Sequence, residues 1–181
     1  MNYAEIKNCD IANGPGVRVS LFVSGCTHRC KGCFNQIAWD FSYGKSFTRD
    51  TIDEIMEMLR PKHIRGLTIL GGEPFEPQNQ APVLELLRLI KSQLPEKSIW
   101  AFSGYLFEKD ILAGKLGPWE ITKEYLSYLD VLVDGPFIEE RKNLMLRFRG
   151  SDNQRLIDVP RSLKENTVIL WLDWQGTGEG R

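Results

Sequence analysis

The amino-acid sequence predicts an α/β fold in which parallel strands form part of a (β/α) barrel. Two observations support this prediction: short, nearly continuous apolar runs recur along the chain, and amphipathic helical patterns separate them. This alternation implies right-handed crossovers and a parallel sheet covered by helices. A complete barrel takes about 250 residues, so the 181 residues of this chain suffice for part of one or for an open sheet.

Four strands are predicted from the apolar runs, and each run is typical of a strand buried on both faces. They are VRVSLFV (17–23), GLTIL (66–70), SIWAF (98–102) and DVLVD (130–134). A polar or glycine-rich loop follows each strand: GCTHRCKGCFN (25–35), GGEP (71–74), SGY (103–105) and DGPF (134–137). Ligands bind at the carboxyl ends of parallel strands, so we expect these four loops to meet at one edge of the sheet.

Three helices are predicted between the strands. The first covers 48–60, where apolar residues recur at helical spacing, Thr51 and Glu54 form a candidate capping box, and a proline follows. The second covers 81–94 and also ends before a proline, and a weaker pattern covers 119–129. Helices of this kind would cover the faces of a parallel sheet.

Composition and charge limit the classes of partner. The chain has 23 Lys and Arg against 24 Asp and Glu, a net charge of −1, which argues against nucleic acid or an anionic membrane. It has no apolar run of the roughly 20 residues that span a bilayer, and the N-terminus lacks the pattern of a signal peptide. We therefore expect a cytoplasmic protein with residues 1–181 in one domain.

Three of the four cysteines lie within eight positions, as Cys26, Cys30 and Cys33. Disulfides are rare in the cytoplasm, so a metal is the better interpretation. Zinc would need a fourth ligand, such as Cys9 or His28; we interpret Cys9 instead as a small buried side chain. A cubane iron–sulfur cluster on three thiolates would leave one iron open to an external ligand.

The C-x3-C-x2-C loop resembles that of radical S-adenosylmethionine enzymes, and several further segments resemble the anaerobic ribonucleoside-triphosphate reductase-activating proteins among them. These segments cover most of the chain in the family's order: NGPGVRVSLFVSGCTHRCKGCFN (13–35), LTILGGEPFEPQN (67–79), WAFSGY (100–105), DVLVDGPF (130–137) and RFRGSDNQRLIDV (147–159). Gly32 stands where the wider superfamily often has an aromatic residue, and Phe34 follows the third cysteine instead. The reductase-activating proteins share this arrangement, so the difference supports resemblance to that family and does not change the expected chemistry.

The resemblance implies a [4Fe–4S] cluster held by Cys26, Cys30 and Cys33, and S-adenosylmethionine bound to its open iron. One electron from a flavodoxin- or ferredoxin-type donor would then produce a 5′-deoxyadenosyl radical. This radical would create a glycyl radical on anaerobic ribonucleoside-triphosphate reductase, the implied protein partner. The resemblance also implies a partial barrel of the radical S-adenosylmethionine type.

The resemblance further implies a set of cofactor-binding residues, which are Gly32, Cys33, Phe34, Gly71, Gly72, Glu73 and Ser103. Glu73 would supply an anion for the ammonium group of the cofactor, and the glycines would allow close approach of the backbone. Ser103 is also interpretable as a helix N-cap, and Phe34 as a core aromatic.

Several residues stay open at this stage. Asp134 is a candidate ligand at the rim, and Arg18 is a candidate to neutralise cluster or cofactor charge. The segment 147–155 is interpretable as cofactor rim, as docking surface or as a solvated basic loop. His28 is a candidate to tune the cluster. Residues 171–181 indicate only a frayed end.

Three other functions compete with this one. In the first, the chain would activate a different glycyl-radical enzyme. Activases of that kind often carry an extra cluster domain between the cysteine loop and the GGE motif, and this sequence has no such insert between Cys33 and Gly71. A non-catalytic iron–sulfur electron carrier, the second, would normally use four cysteines. The third is a binding module whose fold is stabilised by a structural zinc ion.

Overall fold

The computed structural model describes residues 1–171, and within them seven strands form one mixed sheet. The strands are β1 (Asn2–Asp10), β2 (Val17–Val23), β3 (Lys45–Ser46), β4 (Ile64–Gly71), β5 (Ser98–Phe102), β6 (Val131–Asp134) and β7 (Arg155–Asp158). Their order is β3-β1-β2-β4-β5-β6-β7. Pairing is parallel from β2 through β4 and β5 to β6, and antiparallel at both edges. Across the described residues the edge strands do not pair with each other, so the sheet is not closed into a barrel.

Four α-helices accompany the sheet: α1 (Arg49–Leu59), α2 (Pro77–Gln93), α3 (Trp119–Tyr128) and α4 (Val159–Glu165). Shorter helical turns occur in the loops, as 3₁₀ turns at Gln36–Trp39 and Glu139–Arg141 and a π-turn at Phe107–Ile111. No helix in residues 1–171 combines the length and the hydropathy that a membrane crossing requires.

All four predicted strands are confirmed, as β2, β4, β5 and β6, and the predicted helices correspond to α1, α2 and α3. The predicted capping box of Thr51 with Glu54 is wrong. Thr48 is the N-cap of α1, its hydroxyl accepts from the Thr51 amide at 3.4 Å, and the Thr51 hydroxyl accepts from the Thr48 amide at 3.3 Å. The box uses a second threonine in place of glutamate.

The helix α2 begins four residues earlier than predicted. Pro77 occupies its first turn, where a missing amide costs nothing, and Pro82 lies inside the helix at the expense of one intrahelical hydrogen bond. Pro82 therefore hid the true start from a sequence-based prediction, because a proline usually marks a helix boundary.

Three strands and one helix were not predicted. Strand β1 lies between β2 and the two-residue edge strand β3; it is largely exposed and carries polar residues, whereas every residue of β2 after the first is buried. A strand with one solvated face lacks the continuous apolar run that identifies a buried parallel strand. Both β3 and β7 are short, with two and four residues, and α4 has only seven.

The main core lies between the sheet and its helices, and its apolar residues come from β2, β4 and the inner faces of α1, α2 and α3. A smaller cluster forms around Trp100, which meets Phe148 and Trp171 edge to face at centroid distances of 5.6 and 5.0 Å. Burial of this core holds the carboxyl ends of the parallel strands in register, so the loops that follow those strands start side by side.

Arg18 is buried at the start of β2, so the prediction that it neutralises cluster or cofactor charge is wrong. Its guanidinium donates to Thr68 Oγ1 (2.7 Å), to the Leu67 carbonyl (2.7 Å) and to the Ser98 carbonyl (2.9 Å). Burial lowers its pKa to about 10, against the opposing effect of Asp130 and Asp10. Arg18 thus joins β2, β4 and β5 at the end of the sheet opposite the cysteine loop.

The prediction that Cys9 is buried is also wrong, since its side chain is exposed. It lies near the end of β1, where Asp10 pairs with Arg18, with a backbone φ of 60°. Antiparallel pairing of β1 with β2 carries Cys9 away from the other three cysteines.

We predict that Arg18→Met lowers the free energy of unfolding by about 3 kcal/mol, because the substitution removes a buried guanidinium that donates to the Thr68 hydroxyl and to the Leu67 and Ser98 carbonyls. Urea unfolding under anaerobic conditions measures this change. Arg60→Met is the matched control: Arg60 is exposed and pairs only with Glu57 at the surface, so its loss costs less than about 1 kcal/mol. Equal midpoints for the two variants would contradict the role of Arg18.

Candidate metal and cofactor site

The four loops that follow the parallel strands line one cavity of about 130 Å³, as predicted. The cysteine loop contributes all three of its thiols, and the loops after β4, β5 and β6 contribute the remaining walls. The lining residues predicted from sequence are Cys26, Cys30, Cys33, Phe34, Gly71, Gly72, Glu73 and Ser103. Gly32 lines a second cavity, of about 380 Å³, that shares Cys33 and Phe34 with the first.

The three thiols are half-buried and free of disulfides. Burial raises the pKa of Cys26 to about 11 and also raises that of Cys30, so the neutral thiol is favoured in the absence of a metal. Within residues 1–171 no three His, Cys, Asp or Glu side chains already stand in a metal-holding arrangement. A bound cation would reverse the protonation, because metal coordination deprotonates a thiol outright.

Hydrogen bonds attach the cysteine loop to the rest of the structure at several points. The amide of Gly25 donates to the Ala38 carbonyl (2.8 Å), and that of Cys26 to the Trp39 carbonyl (3.2 Å). At the following residue, both the amide and the hydroxyl of Thr27 donate to the Glu76 carboxylate, the amide at 2.8 Å. The loop that carries the thiols is therefore anchored on both sides of Cys26.

The Glu73 carboxylate is 1% exposed and joins three loops. Its Oε1 accepts from the Ser103 hydroxyl (2.9 Å) and the Phe75 amide (2.8 Å). Its Oε2 accepts from the Gly104 amide (2.7 Å) and from His28 Nε2 (3.1 Å). A carboxylate has about four acceptor positions, and all four are occupied by the protein itself.

Glu73 therefore lies at the cavity as predicted, but its four hydrogen bonds hold the site together. Its anionic charge still lies against the cavity, within electrostatic reach of a bound cationic group. Whether Glu73 contacts a cofactor stays a prediction, and its role in positioning the loops is a finding that sequence reasoning missed.

Ser103 is buried and is not a helix N-cap. Its hydroxyl accepts from the Tyr105 amide at 3.1 Å while it donates to Glu73, a local turn rather than a helix start. Position 72 of the GGEP loop requires glycine, because a Cβ there would lie 2.5 Å from the Gly25 carbonyl oxygen. The cysteine loop and the GGEP loop can approach this closely only without that side chain.

Phe34 is 86% exposed, so its interpretation as a core aromatic is wrong. Its ring stands at the mouth shared by the two cavities. Gly32 has a φ of 71°, which favours glycine, and a Cβ there would meet the Glu139 carboxylate at 2.7 Å. The contacts of Gly32 and Phe34 with a cofactor stay predictions.

Asp134 does not reach the cavity. It is fully buried at the end of β6 and accepts from the Phe107 amide (2.9 Å) and from Arg155, which also pairs with Glu108. The Arg155 hydrogen bond lowers the pKa of Glu108 against the opposing effect of burial. Asp134 is thus a structural anchor for the loop after β6, and Arg155 of the basic segment is its partner.

His28 packs on the Tyr105 ring at a centroid distance of 4.2 Å and lines the cavity beside the thiols. Burial opposes a charge on the imidazole, but the hydrogen bond and charge of Glu73 outweigh it and raise the pKa of His28. An ionised carboxylate can only accept, so Nε2 carries the proton that binds Glu73. His28 is therefore engaged within the protein.

Sequence reasoning missed two lining residues, Trp39 and Phe102, together with Glu76 below the loop. Phe137 of the predicted DGPF loop and Gln154 of the segment 147–155 also line the cavity, which supports the interpretation of that segment as part of the rim. Nothing in the pattern around Trp39 or Glu76 indicated a contact with the cysteine loop. The tail residues 172–181 lie outside the described part of the chain.

The residues present fit a cluster with thiolate ligands. Three thiols face one cavity, they are soft donors suited to iron and sulfide, and Gly72 allows the GGEP loop to pack directly against the cysteine loop. Cys9 lies at the other end of the sheet and His28 is bound to Glu73. Among residues 1–171 the protein thus offers three cysteine ligands at this cavity.

Comparison with known proteins agrees with this assignment. Residues 12–157 match the family described as "4Fe-4S single cluster domain", which supports an iron–sulfur cluster. Three relatives carry the name anaerobic ribonucleoside-triphosphate reductase-activating protein. The one from Enterobacteria phage T4 is 44% identical over 158 residues, 86% of this chain and 93% of the relative.

The relative from Vibrio cholerae is 43% identical over 157 residues, with 85% of this chain and 96% of the relative covered. That from Escherichia coli K12 is 38% identical over 156 residues, with the same two shares. Similarity at this level extends over nearly the whole of each relative, and the residues that match the family model include all four loops of the cavity. The chain belongs to the family of anaerobic ribonucleoside-triphosphate reductase-activating proteins.

Proposed function

We propose that this chain is a radical S-adenosylmethionine enzyme that generates a glycyl radical on anaerobic ribonucleoside-triphosphate reductase. Cys26, Cys30 and Cys33 would hold a [4Fe–4S] cluster in the cytoplasm, with residues 1–181 acting as one domain. The observation that carries the proposal is the meeting of these three thiols with the GGEP and SGY loops in one cavity. The names of the relatives indicate the target.

When bound, the cluster and S-adenosylmethionine would supply one-electron cleavage of a carbon–sulfur bond, with methionine as one product, and removal of a hydrogen atom from a glycine Cα. The electron would come from a flavodoxin- or ferredoxin-type donor. A glycine is a suitable target because flanking amides delocalise its radical.

The residues of the chain would divide the remaining tasks. Cys26, Cys30 and Cys33 would hold the cluster through their thiolates, and the described residues offer no fourth cysteine at this cavity. Glu73 holds the loops at a fixed spacing and places negative charge beside the cavity, where an ammonium group is favoured. Phe34, Phe102 and Phe137 line the opening with apolar surface that limits water. The open sheet would correspond to a partial barrel of the radical S-adenosylmethionine type.

A non-catalytic electron carrier is less consistent with the site. Such a protein protects its cluster with four cysteines, whereas Cys9 lies at the far end of the sheet and the described cavity holds three. Activation of another glycyl-radical enzyme stays the nearest alternative.

We predict that the anaerobically reconstituted chain, reduced with dithionite, converts S-adenosylmethionine to 5′-deoxyadenosine, and that addition of the reductase yields a glycyl-type paramagnetic signal. Cys30→Ala should lower 5′-deoxyadenosine formation by more than about 100-fold, beyond the usual effect of changing a residue that only hydrogen-bonds to a metal ligand. Product is quantified chromatographically.

Cys9→Ser is the matched control and should retain the iron content and rate of the wild-type chain, because Cys9 is exposed away from the cavity. Undiminished product from Cys30→Ala would contradict the ligand assignment. Zinc without visible-light absorbance would refute the proposed function.

We predict that Glu73→Gln weakens the site without removing the cluster ligands. In glutamine, an amide NH2 group replaces one of the two carboxylate oxygens of Glu73. Each of these oxygens accepts from a backbone amide, which can only donate, so at least one loop loses its hydrogen bond. This loss costs about 1–3 kcal/mol of stability and should raise the half-saturating S-adenosylmethionine concentration about tenfold.

Thermal unfolding and 5′-deoxyadenosine kinetics measure the two effects of Glu73→Gln. Glu85→Gln on the exposed face of α2 is the control; it alters only a surface pair with Arg49. The importance of the Glu73 bonds would be refuted if both variants behaved alike.

A further inference from the structure

The connection between β6 and β7 places an apolar tip beside the cysteine loop. Lys142 and Ser151 form an antiparallel bridge, and the amide of Asn143 donates to the Gly150 carbonyl at 3.2 Å. Residues 142–151 therefore form a hairpin loop, called here the rim hairpin. Leu144 and Met145 lie at its tip and are each 88% exposed. Neither side chain contributes to the core.

The rim hairpin forms one wall of the second cavity, through Leu146, Phe148 and Arg149. The opposite wall includes Cys33 and Phe34 of the cysteine loop. Four phenylalanines line this cavity, which are Phe34, Phe102, Phe137 and Phe148. It adjoins the cysteine cavity, because Cys33, Phe34 and Gln154 line both. A chain segment that enters between the rim hairpin and Phe34 would thus lead to the three thiols.

The charge of the second cavity is one-sided. Its described lining includes two cations, Lys142 and Arg149, and no carboxylate. Arg149 Nη1 donates to the Gln154 carbonyl at 2.8 Å, whereas its Nε is buried without a partner among the described residues. Elsewhere in this region the cations are matched, for example Arg141 with Asp152. A buried donor without a partner is costly, so an anionic group is favoured here.

We propose that the second cavity and the rim hairpin bind the extended segment of the reductase that carries the reactive glycine. Apolar side chains of that segment would contact Leu144, Met145 and the phenylalanines, and a carboxylate of the segment would pair with Lys142 and Arg149. This inference depends on the proposed function. A small cofactor in the cysteine cavity does not account for an apolar tip that projects outside it, whereas an extended peptide advances about 3.3 Å per residue and contacts both.

Binding of purified anaerobic ribonucleoside-triphosphate reductase to the reconstituted chain tests the proposal, measured by anaerobic titration calorimetry. Leu144→Glu should weaken binding at least tenfold. Leu163→Glu is the matched control, since Leu163 is an exposed leucine on α4, which begins at the end of the sheet opposite the cavity. It should change the affinity less than twofold. Thermal unfolding checks that both variants are folded.

Reversing the charge of Lys142 gives a second, independent test of the proposal. Lys142→Glu should weaken reductase binding several-fold and reduce its dependence on salt, because a cation that faces an acidic group is lost. Lys164→Glu on α4 is the control and should change neither quantity. Equal effects of Leu144→Glu and Leu163→Glu, or an unchanged salt dependence for Lys142→Glu, would overturn the proposal. So would an Arg149→Gln variant that loses affinity for S-adenosylmethionine alone and keeps its affinity for the reductase.

The wild-type chain separates this proposal from the proposed function. Formation of 5′-deoxyadenosine by wild-type protein without reductase tests the function alone. If the wild-type chain forms this product and Leu144→Glu still binds the reductase normally, only the docking proposal fails. If the wild-type chain forms no product under reducing conditions, the proposed function fails, whatever the binding results.

Discussion

The arrangement of the site depends on one buried carboxylate. Glu73 lies at the end of a parallel strand and accepts hydrogen bonds from the cysteine loop, from its own loop and from the loop after β5. Burial of a charge is costly unless it is fully hydrogen-bonded, so the three loops are held at the spacing that satisfies it. The same charge lies beside three thiols, where a bound metal and a cationic ligand would be stabilised. One residue thus connects the stability of the loops with the chemistry that they support.

Two further buried groups hold the frame on which these loops stand. Arg18 joins β2, β4 and β5 at the end of the sheet away from the site, and Asp134 with Arg155 joins β6 to β7 near the site. Each of these charges has specific hydrogen-bond partners, as buried charges require. Glycine at position 72 then allows the loops to pack against one another. The cavity is therefore rigid on the side of the sheet, while its open side is bounded by Phe34 and the rim hairpin.

Sequence-based prediction succeeded where the physical signal is local. Buried parallel strands carry continuous apolar runs, so β2, β4, β5 and β6 were placed to within about two residues. The three clustered cysteines were recognised from their spacing. Prediction failed for β1, whose exposed face removes that run, and for Cys9 and Arg18, whose burial depends on which strand lies beside them. Asp134 and Ser103 were seen as polar residues at strand ends, but their hydrogen-bond partners are distant in the chain.

The sequence alone determined the four parallel strands with the three helices between them, the loop that carries the three thiols and the family to which the chain belongs, because each depends on neighbouring residues or on motifs in a fixed order. Only the tertiary structure decided that Glu73 is saturated by donors from three loops, that Arg18 faces away from the site and that the rim hairpin presents an apolar tip beside a cationic cavity. Those features depend on contacts between residues far apart in the chain, and such contacts are set by the packing of the whole sheet.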